Sequence, residues 1–335
     1  KGLSLNDAVK RMRGEPGTKI TLTIFRKSED RTFPITITRA EIKVQSVKAK
    51  FIEPGIAYVR ITSFQERTIP DLAKKLNELA GENPQLKGLV LDLRNNGGGL
   101  LQGAVGVSAA FLPTDTLIVS TKGQTEEAKQ VFKSTFDNYR LSENNDALAQ
   151  LSPVFKKVPL VVLVNAFSAS ASEIVAGALQ DHKRAVVMGS QTFGKGSVQT
   201  VRQLGPDTAL KLTTARYYTP SGRSIQAKGI LPDVMLDETE NGNVFAALRT
   251  READLEKHLG NGQEAEKKNE ERQKAREEAL KKLEAEAKKP ESERRPPEFG
   301  SDKDFQLNQA LNQLKGLPVK VSATLAERKE EKKDK

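Results

Sequence analysis

The densest chemistry in the chain lies in one stretch, NAFSASASEIVAGALQDHKRAVVMGSQTFGKGSVQT, from Asn165 to Thr200. It holds three closely spaced serines (Ser168, Ser170 and Ser172), the single glutamate Glu173, and Lys195 flanked by Gly194 and Gly196. The preceding VPLVVLV reads as a buried strand ending at Val164, and ASEIVAGALQDH as a helix opening near Ala171. A serine on a sharp strand-to-helix connection is exposed, and the free N–H groups of the helix N-terminus can hold an oxyanion. The same residues also have a structural reading. Ser170-Ala171-Ser172-Glu173 is a capping box, S-x-x-E, and the local pattern by itself favours the cap. A nucleophile must keep its Oγ free, so the two roles are compatible only in part.

A serine nucleophile needs a base, and the chain has two histidines. His182 stands twelve residues beyond Ser170 on the same helix, about 18 Å away at ~1.5 Å per residue, so it cannot serve that serine. The adjacent Asp181 makes a tempting Asp-His pair that this distance rejects. His182 belongs at the helix C-terminus, where a cation is favoured. His258, beside Gly260 in a charged C-terminal region, reads as another helix-end residue. Lys195 is the remaining candidate. To accept a proton near neutrality its pKa must fall from ~10.4 toward ~7–8, which calls for burial. Phe193, the flanking glycines and the apolar AVVMG fit that requirement, and no acid lies between Gly189 and Leu204. Gln199, four residues on, can orient the amine without restoring its charge. Serine-lysine pairs are a variant of triad chemistry.

A rival reading is a phosphate loop. Gly189 to Lys195 matches G-x-x-x-x-G-K, but Gly196 stands where Ser or Thr would hold magnesium, and the following residues look β-like rather than helical. A second glycine loop, DLRNNGGGLL, also follows a buried strand. Its backbone N–H groups could supply another oxyanion donor, or its glycines could simply serve a turn that needs positive φ. Spacing does not choose between these.

The elements that must position these groups follow from periodicity. Residues 1–40 read as helix, strand, strand, with Leu5, Val9 and Met12 at helical spacing and Gly14 ending the helix. They are too few to bury a core alone, and Lys1 to Leu5 enter a helix with no lead-in, as in the back half of a domain. Residues 41–122 alternate GIAYVRITSF (strand), IPDLAKKLNELAG (helix ending at Gly81), LKGLVLDLR (strand), LLQGAVGVSAAFL (helix) and TLIVS (strand), an α/β pattern. Residues 123–157 are polar and irregular, with a weak helix near EEAKQVFKSTFDNYR, and suit a lid or side flap. RAVVMG is a further strand. SVQTVRQL and TALKLTTARYYT read as extended around the turn Gly205-Pro206-Asp207, and GILPDV closes the folded block. From about residue 243 the composition changes. VFAALRTREADLEKHLG reads as an amphipathic helix, and residues 263–289 as a charge-laced arm with little apolar stripe. SDKDFQLNQALNQLKG reads as a short helix capped by Ser301 with Phe305, Leu311 and Leu314 on one face, and AERKEEKKDK as a disordered tail.

Composition narrows the classes. The chain has 335 residues and a formal charge of +10, but acidic and basic residues interleave, aromatics are 5 % and tryptophan is absent. A stacking platform for nucleic-acid bases is therefore hard to build, and no nucleic-acid partner is expected. No run of eighteen apolar residues is present to span a membrane, and no signal peptide is seen. Without cysteine there is no disulfide, thiolate metal site or cysteine nucleophile. No metal or other cofactor is expected.

Four segments, DLRNNGGGLL, NAFSASASEIVAGALQD, TFGKGSVQ and ARYYTPSGRSIQAKGILPDV, resemble the carboxyl-terminal processing proteases, the tail-specific serine peptidases of family S41. LNDAVKRMRGEPGTKITLTIFR followed by ITRAEI resembles the second half of their PDZ domain, and SDKDFQLNQALNQL is similar to the C-terminal helix of bacterial members. The resemblance implies an α/β fold with a crotonase/ClpP-like protease core over 41–242. A partial α+β PDZ domain would occupy 1–40 and a helical extension 243–335. It implies Ser170 as nucleophile, Lys195 as general base twenty-five residues on, and Gln199 orienting the lysine. The oxyanion would be held by the N–H of Ala171 and of Gly98, or of the neighbouring Gly99. It further implies ATP-independent cleavage of protein substrates, a periplasmic location, homo-oligomers, and helical-repeat lipoprotein adaptors as partners. The 263–289 arm would serve assembly or adaptor binding. The PDZ carboxylate-binding loop has no counterpart in these residues.

Overall fold

The computed structural model describes residues 4–41, 45–141, 145–240, 250–263 and 298–321. They fall into two units, Lys1–Gln45 and Ser46–Lys335.

The first unit contains the three elements its periodicity predicts. Helix α1 (Leu5–Met12) is capped by Ser4, whose hydroxyl accepts from Asp7 N–H. It precedes an antiparallel hairpin of β1 (Lys19–Arg26) and β2 (Arg31–Thr38). The Arg39 guanidinium joins them, donating to Met12 O and Thr18 Oγ1, each at 2.9 Å. Helix α1 buries no residue, and Phe25, Ile35 and Ile37 of the hairpin are exposed. Two strands and one short helix offer too little area to enclose them.

The second unit is built on a six-stranded sheet. Strands β4 (Ile56–Ile61), β5 (Gly88–Asp92), β8 (Leu160–Val164), β9 (Val186–Gly189) and β12 (Val234–Met235) run parallel, and β3 (Val47–Glu53) pairs antiparallel to β4 at one edge. Strands β5 and β8 are buried at every residue. Their unbroken apolar runs, rather than alternation, mark strands covered on both faces. One face packs against α2 (Thr68–Glu82), α3 (Leu101–Phe111) and α5 (Ala171–Asp181). Helix α2 buries Ile69, Leu72, Ala73, Leu76 and Leu79, one stripe at helical spacing. The other face is covered by α6 (Phe305–Leu314), which sets Leu307, Ala310 and Leu311 on Ile56, Tyr58, Val90, Val161, Leu163 and Met188. A second, antiparallel sheet has the order β10 (Ser197–Gly205), β11 (Thr208–Tyr218), β6 (Leu117–Gly123), β7 (Gln130–Lys133). No helix among the described residues is long and apolar enough to cross a membrane.

Several elements differ from expectation. Strand β3 has no counterpart in the sequence reading, although Val47, Ala49 and Phe51 face inward at alternating positions. The helix expected over 126–140 is instead a 3-10 turn, β7, and the short α4 (Phe136–Tyr139). Pairing with β6 overrides local helix preference there. The 123–157 stretch is thus partly regular, and it places Tyr139 and Phe155 in the core. The helix expected over 244–260 is absent from its described part, which has only a 3-10 turn at Glu252–Asp254. Side-chain bonds hold that segment irregular: Gln226 Nε2 donates to Leu259 O at 2.9 Å, and Asn261 Nδ2 to Gln226 O at 2.6 Å. His258 accordingly ends no helix; its Nδ1 lies 2.9 Å from Leu255 O. The cap of α6 is Asp304, not Ser301. Asp304 accepts from Leu307 N–H at 3.2 Å, and a carboxylate is favoured at a helix N-terminus. The expected arm at 263–289, apart from Gln263, and the expected disordered tail lie outside the described residues.

Candidate active site

Strand β8 delivers the chain to the elbow and α5 carries it away. Between them the three serines take different roles. Ser168 Oγ donates to Leu93 O at 2.8 Å and accepts from Asn165 N–H at 3.0 Å. Ser172 Oγ donates to Asn96 O at 2.8 Å. Both residues are fully buried, whereas Ser170 is half-buried at the turn itself. Its φ of 55° and ψ of −112° put a non-glycine residue in a costly backbone region of the kind that surrounding structure must impose.

The glycine loop after β5 imposes it. Asn95 and Asn165 are bonded twice, Asn95 N–H to Asn165 Oδ1 at 3.0 Å and Asn165 Nδ2 to Asn95 Oδ1 at 2.7 Å. Asn96 O also accepts from Ala169 N–H at 3.0 Å. Gly98 then passes so close to the elbow that a Cβ on it would lie 2.8 Å from Ala169 O, 2.9 Å from Ser170 Cβ and 3.0 Å from Ala171 N. Its φ is +99°. Both facts require glycine. Gly98→Ala is expected to cost about 1–3 kcal/mol by displacing the elbow, as read by urea unfolding.

Of the two expected oxyanion donors, Ala171 is the first residue of α5, so its N–H is one that a helix leaves without an internal partner. The Gly98 N–H donates to Asn96 Oδ1 at 2.9 Å. Asn96 would have to release it before an oxyanion could use it. On either side of Gly99 the main chain is pinned to Phe64, whose N–H donates to Gly98 O at 3.0 Å and whose carbonyl accepts from Leu100 N–H at 2.9 Å.

The lysine loop runs from β9 to β10, and Glu173 ties it to the elbow. This fully buried carboxylate accepts at Oε2 from Ser170 N–H (2.7 Å) and Lys195 N–H (2.9 Å). At Oε1 it accepts from Thr192 Oγ1 and Gly194 N–H, both at 2.6 Å. The Ser170–Glu173 pair therefore has capping-box form. Its well-made bond is the glutamate's to the Ser170 main chain. Burial pushes the Glu173 carboxyl up to about 7, against the four hydrogen bonds that favour its ionised form. Expectation placed no acid near Lys195; this one arrives from the helix and meets the lysine through its backbone. The S-x-x-E spacing was the available signal for it.

Lys195 is half-buried rather than enclosed, and Gln199 is exposed on β10 at a bulge between Val198 and Gln199. Among the described residues, the Ser170 main chain and Lys195 main chain meet on one oxygen. No hydrogen bond joins the Ser170 hydroxyl to the Lys195 amine, or Gln199 to either. The phosphate-loop reading fails here. The Gly194 and Lys195 N–H groups that a phosphate would need are held by Glu173, and the loop leads into a strand. His182 caps the C-terminus of α5, its Nε2 2.6 Å from Leu117 O. Asp181 pairs with Arg223 and accepts from Ser221 N–H, not with the histidine.

Behind the glycine loop lies a buried charge network with no counterpart in the sequence reading. Asp92, at the end of β5, accepts from Tyr58 Oη (2.6 Å), Arg60 Nη1 (3.2 Å), and Arg94 Nε (3.0 Å) and Nη2 (2.7 Å). Arg94 also reaches both oxygens of Asp304, at 2.8 and 2.6 Å, and lies under the Phe299 ring. Burial alone would raise the Asp92 carboxyl; the Arg94 guanidinium beside it holds it below the usual range. Burial and the neighbouring Asp92 push the Tyr58 hydroxyl well above its ordinary value.

Comparison with known proteins places most of the second unit in one family. Residues 55–236 match Peptidase family S41. A carboxy-terminal-processing protease of Bartonella bacilliformis is 46 % identical over 270 residues, 79 % of this chain and 58 % of that protein. A carboxyl-terminal-processing protease of Synechocystis is 36 % identical over 241 residues, 70 % of this chain and 52 % of that protein. The solved photosystem II D1 C-terminal processing protease is 32 % identical with a TM-score of 0.47, covering 71 % of this chain and 60 % of its own. The chain spans little more than half the length of these two curated relatives. With the family match covering 55–236 and these identities, the chain belongs to peptidase family S41.

Proposed function

We propose that this chain is the catalytic part of an ATP-independent serine endopeptidase of the carboxyl-terminal processing type, with Ser170 as nucleophile and Lys195 as base. The observation that carries the reading is the convergence of the elbow and the lysine loop on one Glu173 oxygen, with Ser170 the elbow serine that, unlike Ser168 and Ser172, does not donate its hydroxyl to a carbonyl of the β5 strand or glycine loop. Ser170 Oγ attacks a peptide carbonyl and its proton passes to Lys195 Nζ. The tetrahedral oxyanion is held by Ala171 N–H and by the Gly98 N–H once Asn96 lets it go. Collapse breaks the C–N bond, the leaving amine takes the proton from Lys195, and water then hydrolyses the acyl-serine ester by the same route. Gln199, exposed on β10 here, would have to turn toward the lysine amine to position it.

The wider role follows the family. Substrates are proteins or peptides, and residues 1–40 are the second half of a PDZ domain that recognises or gates substrate C-termini. The enzyme works in the periplasm as a homo-oligomer. The 263–289 arm serves self-assembly or the binding of a helical-repeat lipoprotein adaptor.

Lys195→Arg is expected to lose casein-degrading activity by at least about 100-fold, because arginine stays protonated and cannot act as base. Light scattering on the same samples reads assembly. Wild-type rates from the arginine variant would remove lysine from the mechanism. A second reading, a catalytically silent PDZ scaffold, draws on the lack of a Ser170–Lys195 side-chain bond. A fluorophosphonate probe separates the two, since only a competent Ser170 is labelled.

A further inference from the structure

The carboxylate that joins the two halves of the site has no chemical step of its own in the proposed mechanism. A carboxylate has about four lone-pair positions, and only its ionised form accepts at all of them. Glu173 has four donors, two on each oxygen: Thr192 Oγ1 and Gly194 N–H on Oε1, Ser170 N–H and Lys195 N–H on Oε2. Its acceptor capacity is full. A proton added to either oxygen must displace one of those donors, either from the Thr192–Gly194 side or from the Ser170–Lys195 side. The carboxylate is fully buried, and the Gly229 backbone passes close enough that a Cβ there would lie 3.0 Å from Oε1. Thr192 Oγ1 is itself committed, since it also accepts from Ile230 N–H at 2.7 Å.

We infer that Glu173 is a positioning residue: its ionised carboxylate holds the Ser170 elbow and the Lys195 loop in the register that lets serine and lysine exchange a proton, and its protonation releases that register. The groups packed on it are Ser170 from the elbow, Thr192, Gly194 and Lys195 from the loop, and Gly229 from the turn before β12. Among these described residues Lys195 is the one titratable side chain, and it meets the carboxylate through its main-chain N–H. The switch is thus local to Glu173. Burial pushes this carboxyl up to about 7, so the register tightens as pH rises through neutrality and loosens as it falls.

The inference deepens the peptidase reading, but one arm of its test does not rest on it. In Glu173→Gln a neutral amide places N–H donors against donors on one side of the clamp. Amide hydrogen exchange at pH 8, followed by mass spectrometry on the full chain, is expected to be at least about tenfold faster in 166–173 and 190–197 than in wild type. Exchange in β8 should be unchanged. Peptide kinetics should show kcat lower by about 100-fold with KM within about threefold, the signature of misplaced reacting groups. Thr192→Val removes one donor that favours the ionised form, so the acid limb of kcat should move to higher pH; an acid limb set by the lysine would stay. Unchanged exchange in both segments of Glu173→Gln overturns the inference whether or not the chain proves to be a peptidase. If that variant does not fold, an acid limb left in place by Thr192→Val overturns it. Failure of wild type to take the fluorophosphonate probe would instead remove the peptidase reading, and the exchange arm would still decide the clamp.

Discussion

Ser170→Ala is expected to lower proteolysis by about 10⁴-fold or more, the scale on which serine nucleophiles contribute, with little change in folding stability. The two halves of that expectation test different things. The bond that ties residue 170 to Glu173 uses the main-chain N–H at 2.7 Å, and alanine keeps it. The φ of 55° is imposed by the glycine loop and costs alanine no more than serine. If the hydroxyl instead worked as the helix cap, its loss would cost about 1 kcal/mol, and urea unfolding would show it. Ser168 and Ser172 supply the contrast. Their hydroxyls are buried and bonded to Leu93 O and Asn96 O, so alanine at either leaves an acceptor short of a partner and should cost about 1–3 kcal/mol. Full residual cleavage by Ser170→Ala, measured on casein beside those two variants, would sink Ser170 as nucleophile.

Asp304→Ala is expected to destabilise the second unit by about 3–5 kcal/mol, the cost of leaving one member of a buried ion pair alone. Arg94 is fully buried and divides its guanidinium between Asp92 and Asp304. With Arg60 also bound to Asp92, two cations face two carboxylates. Removing Asp304 leaves one buried positive charge uncompensated. The same substitution removes the cap of α6 and the acceptor for Gly300 N–H, 2.9 Å away. Asp304→Asn separates these effects. Asparagine caps a helix about as well as aspartate but carries no charge, so most of the loss should persist in it. Because Arg94 opens the glycine loop that shapes the Ser170 elbow, activity should fall with stability. A loss under about 1 kcal/mol in urea unfolding of the alanine variant would show that Arg94 needs only Asp92.

The difference between what the chain announces locally and what its folding decides is visible in these same residues. Strands β5 and β8 are legible because a strand covered on both faces must be apolar throughout, and α2 because one helical face must be. The turn from β8 into α5, and the removal of His182 from Ser170, follow from helix rise alone. The family resemblance nominates Ser170 and Lys195, whose motifs lie within a single stretch. Local sequence could not show what makes the three serines differ, since what occupies Ser168 and Ser172 are carbonyls of Leu93 and Asn96, some seventy-five residues away in the chain. Nor could it find the acid at the lysine loop or the partner of Arg94, which stands 210 residues beyond it. It misread 126–140 and 250–260, where helical spacing is real but pairing with β6 and side-chain bonds to Gln226 outweigh it. Periodicity records which face of a segment is buried. Hydrogen-bond partners across the fold are chosen by proximity after collapse, when a buried polar group must take whatever complementary atom the packing brings within reach. That is why the elements could be read from the chain, while the contacts at Glu173 and the anchor at Asp304 belong to the tertiary structure alone.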